Sequence, residues 1–205
     1  MFLIYDTETT NLPNDKISLL DPNQARICQL ACLLLDEKFD EVKSFCTLVK
    51  PSGWIMSEGA QKAHGITTKS CEDFGIDINE AMDKWGAFTL EAQFHIAHND
   101  KFDVKLLSIE QCIRRQFTRY IEFPLKNRVC TMEATTPICK LPAKWKGTKY
   151  KWPKLEEAYR HFFGEELVGA HDAMNDVKAT ARVFKHLVES GVIKVENQQK
   201  KEQLV

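Results

Sequence analysis

The order of strand-like and helix-like segments constrains this 205-residue chain more than any other feature. Its opening run, Met1-Phe2-Leu3-Ile4-Tyr5-Asp6-Thr7-Glu8-Thr9-Thr10, begins with aromatic and branched side chains and ends in polar and acidic ones, the pattern of a buried strand running out towards solvent. After a polar loop from Asn11 to Gln24, further strand-like runs occupy Ile27–Leu35 and Val42–Val49, so the first three strands read as a meander. Helical spacing then predicts helices over Ser57–Ala63, Asn79–Phe88, Phe102–Gln116, Leu155–Phe163 and Met174–Glu189, with short strands at Phe94–Ala97 and Arg128–Met132. A meander followed by strands linked through helices implies an α/β fold: a mixed five-stranded sheet flanked by helices.

The length suits one domain with a sizeable core, expected over residues 1–193, while residues 194–205 are polar and charged without periodicity and are expected to form a flexible tail. With no signal peptide and no apolar stretch long enough to span a membrane, the expectation is a cytoplasmic protein without a membrane partner. Seven cysteines at irregular spacing argue for free thiols, and none combines with histidine at zinc-finger spacing. The net charge of −1 excludes a general attraction for nucleic acid, so any such attraction must be local.

Three short segments carry chemistry. Side chains two apart on a strand share a face, so Asp6 and Glu8 present adjacent carboxylates, which repel unless a cation neutralises them or one is protonated. Hard oxygen ligands suit magnesium or manganese. In Phe94-His95-Ile96-Ala97-His98-Asn99-Asp100-Lys101-Phe102-Asp103, a strand turns into a helix with Asp100 as its expected N-cap, which leaves Asp103 as either a helix-start acid or a metal-site acid. His171 and Asp176 lie five residues apart at the start of the last helix, close enough to serve one pocket, and a histidine titrating near neutrality can take a proton from water. Each of these residues alone has an ordinary structural reading as a strand end, a dipole-complementing acid, a loop histidine or a solvated helix residue. Joined in order, they meet the needs of metal-assisted hydrolysis, which requires several carboxylates and a base in one pocket.

Asp6-Thr7-Glu8-Thr9-Thr10, then His98-Asn99-Asp100-Lys101-Phe102-Asp103, then His171 with Asp176, resembles the DnaQ-like (DEDDh) family of 3′-to-5′ exonucleases, which includes a proofreading polymerase subunit, over residues 1 to about 190. The resemblance implies a ribonuclease H-like fold and two divalent cations, Mg2+ or Mn2+. It implies that Asp6, Glu8 and Asp176 bind metal directly, that Asp103 holds the second metal, and that His171 deprotonates the attacking water. It maps terminal-nucleotide contacts to Thr7, Thr9, Leu12, His64 and Asn99. Phe102 either packs on a base or sugar or joins the core, and His64 alone reads as a helix C-terminal residue before Gly65. Asn11 departs from the family's glycine, although asparagine tolerates the left-handed backbone.

Between the fifth strand and the next helix, Lys140, Lys144, Lys146, Lys149, Lys151 and Lys154 alternate with Trp145, Tyr150 and Trp152. Such a segment either guides a single strand or is a solvated loop with its aromatics folded onto the core. The leading expectation is hydrolysis of DNA from single-stranded or frayed 3′ ends, in proofreading or strand trimming, with a DNA polymerase as an implied partner. The alternatives are an exoribonuclease of the oligoribonuclease or ribonuclease T type, and a catalytically idle accessory subunit that binds nucleic acid.

Overall fold

The computed structural model describes residues 1–21, 23–117, 122–143, 147 and 149–195. Strands β1 (Phe2–Thr9), β2 (Ile27–Leu35) and β3 (Glu41–Leu48) form the expected antiparallel meander. Strand β4 (Phe94–Ala97) lies parallel to β1 and β5 (Arg128–Cys130) parallel to β4, giving one mixed sheet in the order β3-β2-β1-β4-β5.

Alternation along β1 divides the core. Leu3 and Tyr5, with Leu30, Cys32 and Leu34 of β2, face helices α3 (Ile78–Glu91) and α4 (Asp100–Arg114), where Trp85, Phe88, Leu106 and Leu107 meet them. Phe2 and Ile4, with Ala31, Leu33 and Leu35, face α7 (Ala173–Glu189) and its Val177 and Phe184. Strand β2 is covered on both faces, which is why all nine of its residues are buried and its sequence is almost continuously apolar. Strand β3 is one edge of the sheet, buries no residue, and carries Lys43 where further strand pairing would otherwise begin.

Helices α1 (Glu58–His64) and α6 (Leu155–Phe163) fall where periodicity places them. Two further helices were not expected. Helix α2 (Thr68–Phe74) is short and is set up by a capping box between Thr67 and Ser70. Helix α5 (Thr131–Cys139) begins where the fifth strand was expected to continue to Met132, and its Thr-rich sequence with Pro137 reads as a breaker rather than a helix. The lysine- and aromatic-rich segment therefore runs between α5 and α6, not directly from β5. The N-cap of α4 is Asn99, in the left-handed region at φ 70°, and the expected cap, Asp100, is instead the first helical residue and is buried. All seven cysteines are free thiols. Among the described residues no helix is long and apolar enough to cross a membrane. The expected tail lies outside the described residues from 196 onward, whereas Val195 packs against the α7 side of the core.

Candidate active site

Strand β1 runs past the end of β4, whose pairing reaches only Ile4 opposite Ile96. Beyond that point the backbone N–H of Thr7 donates to Asp103 Oδ1 at 3.0 Å, and the Thr7 hydroxyl donates to the same oxygen at 2.8 Å. Two residues earlier on the same strand face, the Tyr5 hydroxyl donates to Asp100 Oδ1 at 2.8 Å. Arg128 of β5 grips the other oxygen of Asp100 through Nε and Nη2 at 2.9 and 2.6 Å. An i, i+2 pair on a strand thus meets an i, i+3 pair on a helix, and the first turn of α4 is fixed on β1 at two points. The two acids in that turn also face the positive end of the helix dipole.

Asp6 and Glu8 project towards the opposite face, where α7 begins. Gln29 of β2, paired opposite Glu8, orients that helix start: its Oε1 accepts from Ala173 N–H at 3.1 Å and its Nε2 donates to Asp172 Oδ2 at 3.4 Å. Asp172 caps the helix by accepting from Asn175 N–H at 3.1 Å. His171 stands in the left-handed region at φ 67°, its N–H donating to Asp176 Oδ2 at 3.2 Å and its Nε2 3.4 Å from Glu156 Oε1 of α6. The other oxygen of Asp176 is buried without a hydrogen-bond partner. Glu8, His171 and Asp176 each offer a ligand atom within 4.8 Å of the other two.

The electrostatics are those of acids crowded together out of water. Burial, then the charges of Asp103, Asp176, Glu8 and Asp172, hold the Asp6 carboxyl well above the usual carboxylate range. Burial followed by Asp176, Asp103 and Asp172 raises Glu8 to about 8. Burial raises Asp103 to about 7 against the opposing pull of the two Thr7 bonds, and raises Asp176 to about 6 against its bond from His171. Oxygen donors with unspent basicity and one partnerless buried oxygen suit a hard divalent cation.

The sequence-predicted residues fall into three groups. Asp6, Glu8, Asp103, His171 and Asp176 converge around the end of β1. Thr7 is buried, and its hydroxyl is committed to Asp103. The Thr9 hydroxyl donates to the Asn11 carbonyl at 2.9 Å, and His64 accepts from Ile66 N–H through Nδ1 at 3.0 Å, leaving Nε2 to donate to the Thr9 carbonyl at 3.2 Å. His64 therefore ties the end of α1 to the end of β1 and is more than a helix terminus. Leu12 is 73% exposed, Phe102 packs against the core, and the Asn99 side chain makes no capping bond. Asn11 does not adopt the left-handed backbone for which its tolerance was invoked, so the turn needs no glycine there. In the basic segment Lys149 is exposed, Tyr150 half-buried and Trp152 exposed, and Lys151 pairs with Glu157. Lys144, Trp145 and Lys146 lie outside the described residues.

Sequence reasoning missed Gln29, Glu156 and Arg128, which reach the site across long stretches of chain, and Tyr5 and Asp172, which neighbour predicted residues but act through distant partners. It also treated His98 only as part of a motif. His98 is wedged between Thr131 Oγ1, at 2.9 Å from Nδ1, and the Pro153 carbonyl, at 3.0 Å from Nε2, and burial pushes its pKa down to about 4.

A mixed sheet in this order, with carboxylates gathered at the end of its first strand, defines a ribonuclease H-like nuclease fold. The exonuclease family model matches residues 3–184, and the chain belongs to that family, as its resemblance to DnaQ-like (DEDDh) exonucleases implies. Among solved structures it is similar to E. coli Exonuclease I in complex with a dT13 oligonucleotide, at 22% identity and a TM-score of 0.69, over 91% of this chain and 40% of that one. It is also similar to the nuclease domain of 3′hExo, a DEDDh family member bound to rAMP, at 18% identity and a TM-score of 0.67, over 96% of each chain. A third similar structure is cell-death related nuclease 4 (CRN-4), at 17% identity and a TM-score of 0.66, over 93% of this chain and 64% of that one. The chain thus spans less than half the length of the Exonuclease I structure it matches. No curated protein sequence matches it.

Proposed function

We propose that residues 1–193 form a 3′-to-5′ exonuclease domain that hydrolyses DNA from single-stranded or frayed 3′ ends to nucleoside 5′-monophosphates. The observation that carries this reading is the convergence of Asp6, Glu8, Asp103 and Asp176 with His171, four acids whose crowding leaves them short of positive charge. Asp6, Glu8 and Asp176 would hold a magnesium or manganese ion directly, and Asp103 would help hold a second. When bound, such cations lower the pKa of the attacking water and stabilise the leaving oxygen.

His171 takes the proton of the attacking water. Its place is set by its own N–H on Asp176 and by Glu156 beside its ring. Thr7 serves by holding Asp103 in line rather than by touching the nucleotide. Leu12 offers the exposed apolar surface that the terminal base covers, while Thr9, His64, Asn99 and Phe102 shape the rest of the pocket. The role is proofreading or single-strand trimming, with a DNA polymerase as the corresponding partner.

A second reading, RNA as substrate, is favoured by one observation: the similar structures include one bound to rAMP as well as one bound to a DNA oligonucleotide. The 2′-hydroxyl separates the two. Digestion of 3′-end-matched single-stranded DNA, duplex DNA and RNA with magnesium or manganese, beside EDTA and Asp6→Ala controls, tests both readings. Release of 5′-mononucleotides from single-stranded DNA, lost in both controls, is expected. Faster release from RNA would install the second reading, and no release from any of the three would overturn both.

A further inference from the structure

Glu156, in the first turn of α6, lies 3.4 Å from the His171 ring, so the chain entering α6 must pass the mouth of the acidic cluster. That entering segment is held at three points. Tyr150 forms an antiparallel bridge with Pro142, closed by the Lys151 N–H donating to the Leu141 carbonyl at 3.0 Å. The Lys151 ammonium pairs with Glu157 at 2.5 Å, and the Pro153 carbonyl accepts from His98 Nε2 at 3.0 Å. Between these anchors Pro153 is buried, but the neighbouring Trp152 indole is 63% exposed.

The backbone beneath the indole is already tethered, so covering the ring costs little backbone entropy and removes a large apolar face from water. Lys149 and Lys154, both exposed, flank it with positive charge. A flat ring between cations at the entrance to a phosphodiesterase cluster matches one kind of ligand, an unpaired nucleobase with its phosphates. A base inside a duplex is already stacked on both faces and cannot use the ring.

Resting on the exonuclease reading above, we propose that Trp152 is a stacking platform for an unpaired base of the strand entering the site, and that it directs the enzyme to single-stranded 3′ ends. The test is binding without hydrolysis: fluorescence anisotropy of a 5′-labelled thymidine dodecamer in Ca2+, set beside a dodecamer carrying abasic residues behind its 3′-terminal nucleotide. Wild type, Trp152→Ala and Trp152→Phe are compared on both. Trp152→Ala is expected to weaken binding of the full dodecamer about five- to hundredfold, and Trp152→Phe about threefold or less. The abasic strand should bind wild type as weakly as the alanine variant binds the full strand, and the alanine variant should bind both strands alike, because removing either stacking partner removes the same contact. Unchanged binding by Trp152→Ala would overturn the platform, as would an equal loss on both strands, which would mark a structural role. If wild type shows the expected pattern in Ca2+ but releases no nucleotide in Mg2+, the exonuclease reading fails and the platform stands.

Discussion

Thr7 donates twice to one oxygen of Asp103, and this pair of bonds aims a carboxylate from α4 at acids on the far face of β1. Thr7→Val removes the hydroxyl bond and leaves the backbone one, while Thr7→Ser keeps both. A support of this kind behind a metal ligand is worth about 10- to 100-fold in affinity or activity. Thr7→Val is therefore expected to weaken Mn2+ binding by roughly that factor and Thr7→Ser to stay near wild type, as read by calorimetric titration. Glu8 carries the opposite lesson. Its pKa of about 8 means that ionising it costs the cation-free protein stability. Glu8→Gln should raise the melting temperature at pH 8 in EDTA while abolishing hydrolysis, and a lowered melting temperature would contradict the crowding of the cluster. The placing of Asp6 and Glu8 on one strand face and of Asp103 and Asp176 in first helical turns was legible from local pattern, whereas a joint role for them with His171 came from the resemblance of their order to the DEDDh family. Gln29, Arg128 and Glu156 were not legible, because their roles exist only once distant segments meet.

At the scale of elements, α2 escapes a sequence reading because it is only about two capped turns whose stability comes from its attachment. Gly75 closes it against the end of β3: Ile76 N–H donates to the Leu48 carbonyl at 3.0 Å, and Lys50 N–H to the Ile76 carbonyl at 2.8 Å. A Cβ at Gly75 would lie 2.4 Å from the Cys71 carbonyl oxygen and 2.7 Å from Lys50 N. Gly75→Ala is expected to cost about 1–3 kcal/mol by chemical denaturation, since the obstructing atoms are backbone. Helix α5 was hidden for another reason: its threonines and Pro137 speak against a helix, but the Thr135 hydroxyl donates back to the Thr131 carbonyl at 2.8 Å and Thr136 to the Met132 carbonyl at 2.7 Å. Between β2 and α4, Arg26 Nε and Nη2 grip Glu110 at 2.8 and 2.7 Å, with Glu110 side chain only 1% exposed. Glu110→Ala strands a guanidinium whose side chain is only 11% exposed and is expected to cost about 3–5 kcal/mol, enough to lower Tm by roughly 10 °C.

For the whole molecule, two sets of titrating groups shape stability against pH in opposite directions. His98, with its pKa lowered from 6.5 to about 4 by burial, contributes stability that is present above pH 6.5 and lost as pH falls towards 4. Glu8, Asp103 and Asp176, raised to about 8, 7 and 6, contribute stability that is present at low pH and lost as pH rises through those values. Above pH 6.5 only the acids still act, so Tm in EDTA should fall between pH 6.5 and 8. Saturating magnesium should abolish that fall, because the bound ion supplies the missing positive charge. A Tm that is flat in EDTA over this range would show that the acids ionise freely and are not crowded.

The same linkage shows directly whether these acids form a cation site. Mn2+ is titrated calorimetrically at pH 7 in two buffers of different ionisation enthalpy, which counts the protons released on binding. Glu8 at about 8 and Asp103 at about 7 are largely and half protonated there, so their protons must leave when metal arrives. Release of roughly one to two protons per chain is expected, abolished in Asp6→Asn together with tight binding. Tight binding that releases no protons, or that survives Asp6→Asn unchanged, would place the cation elsewhere and contradict such a site.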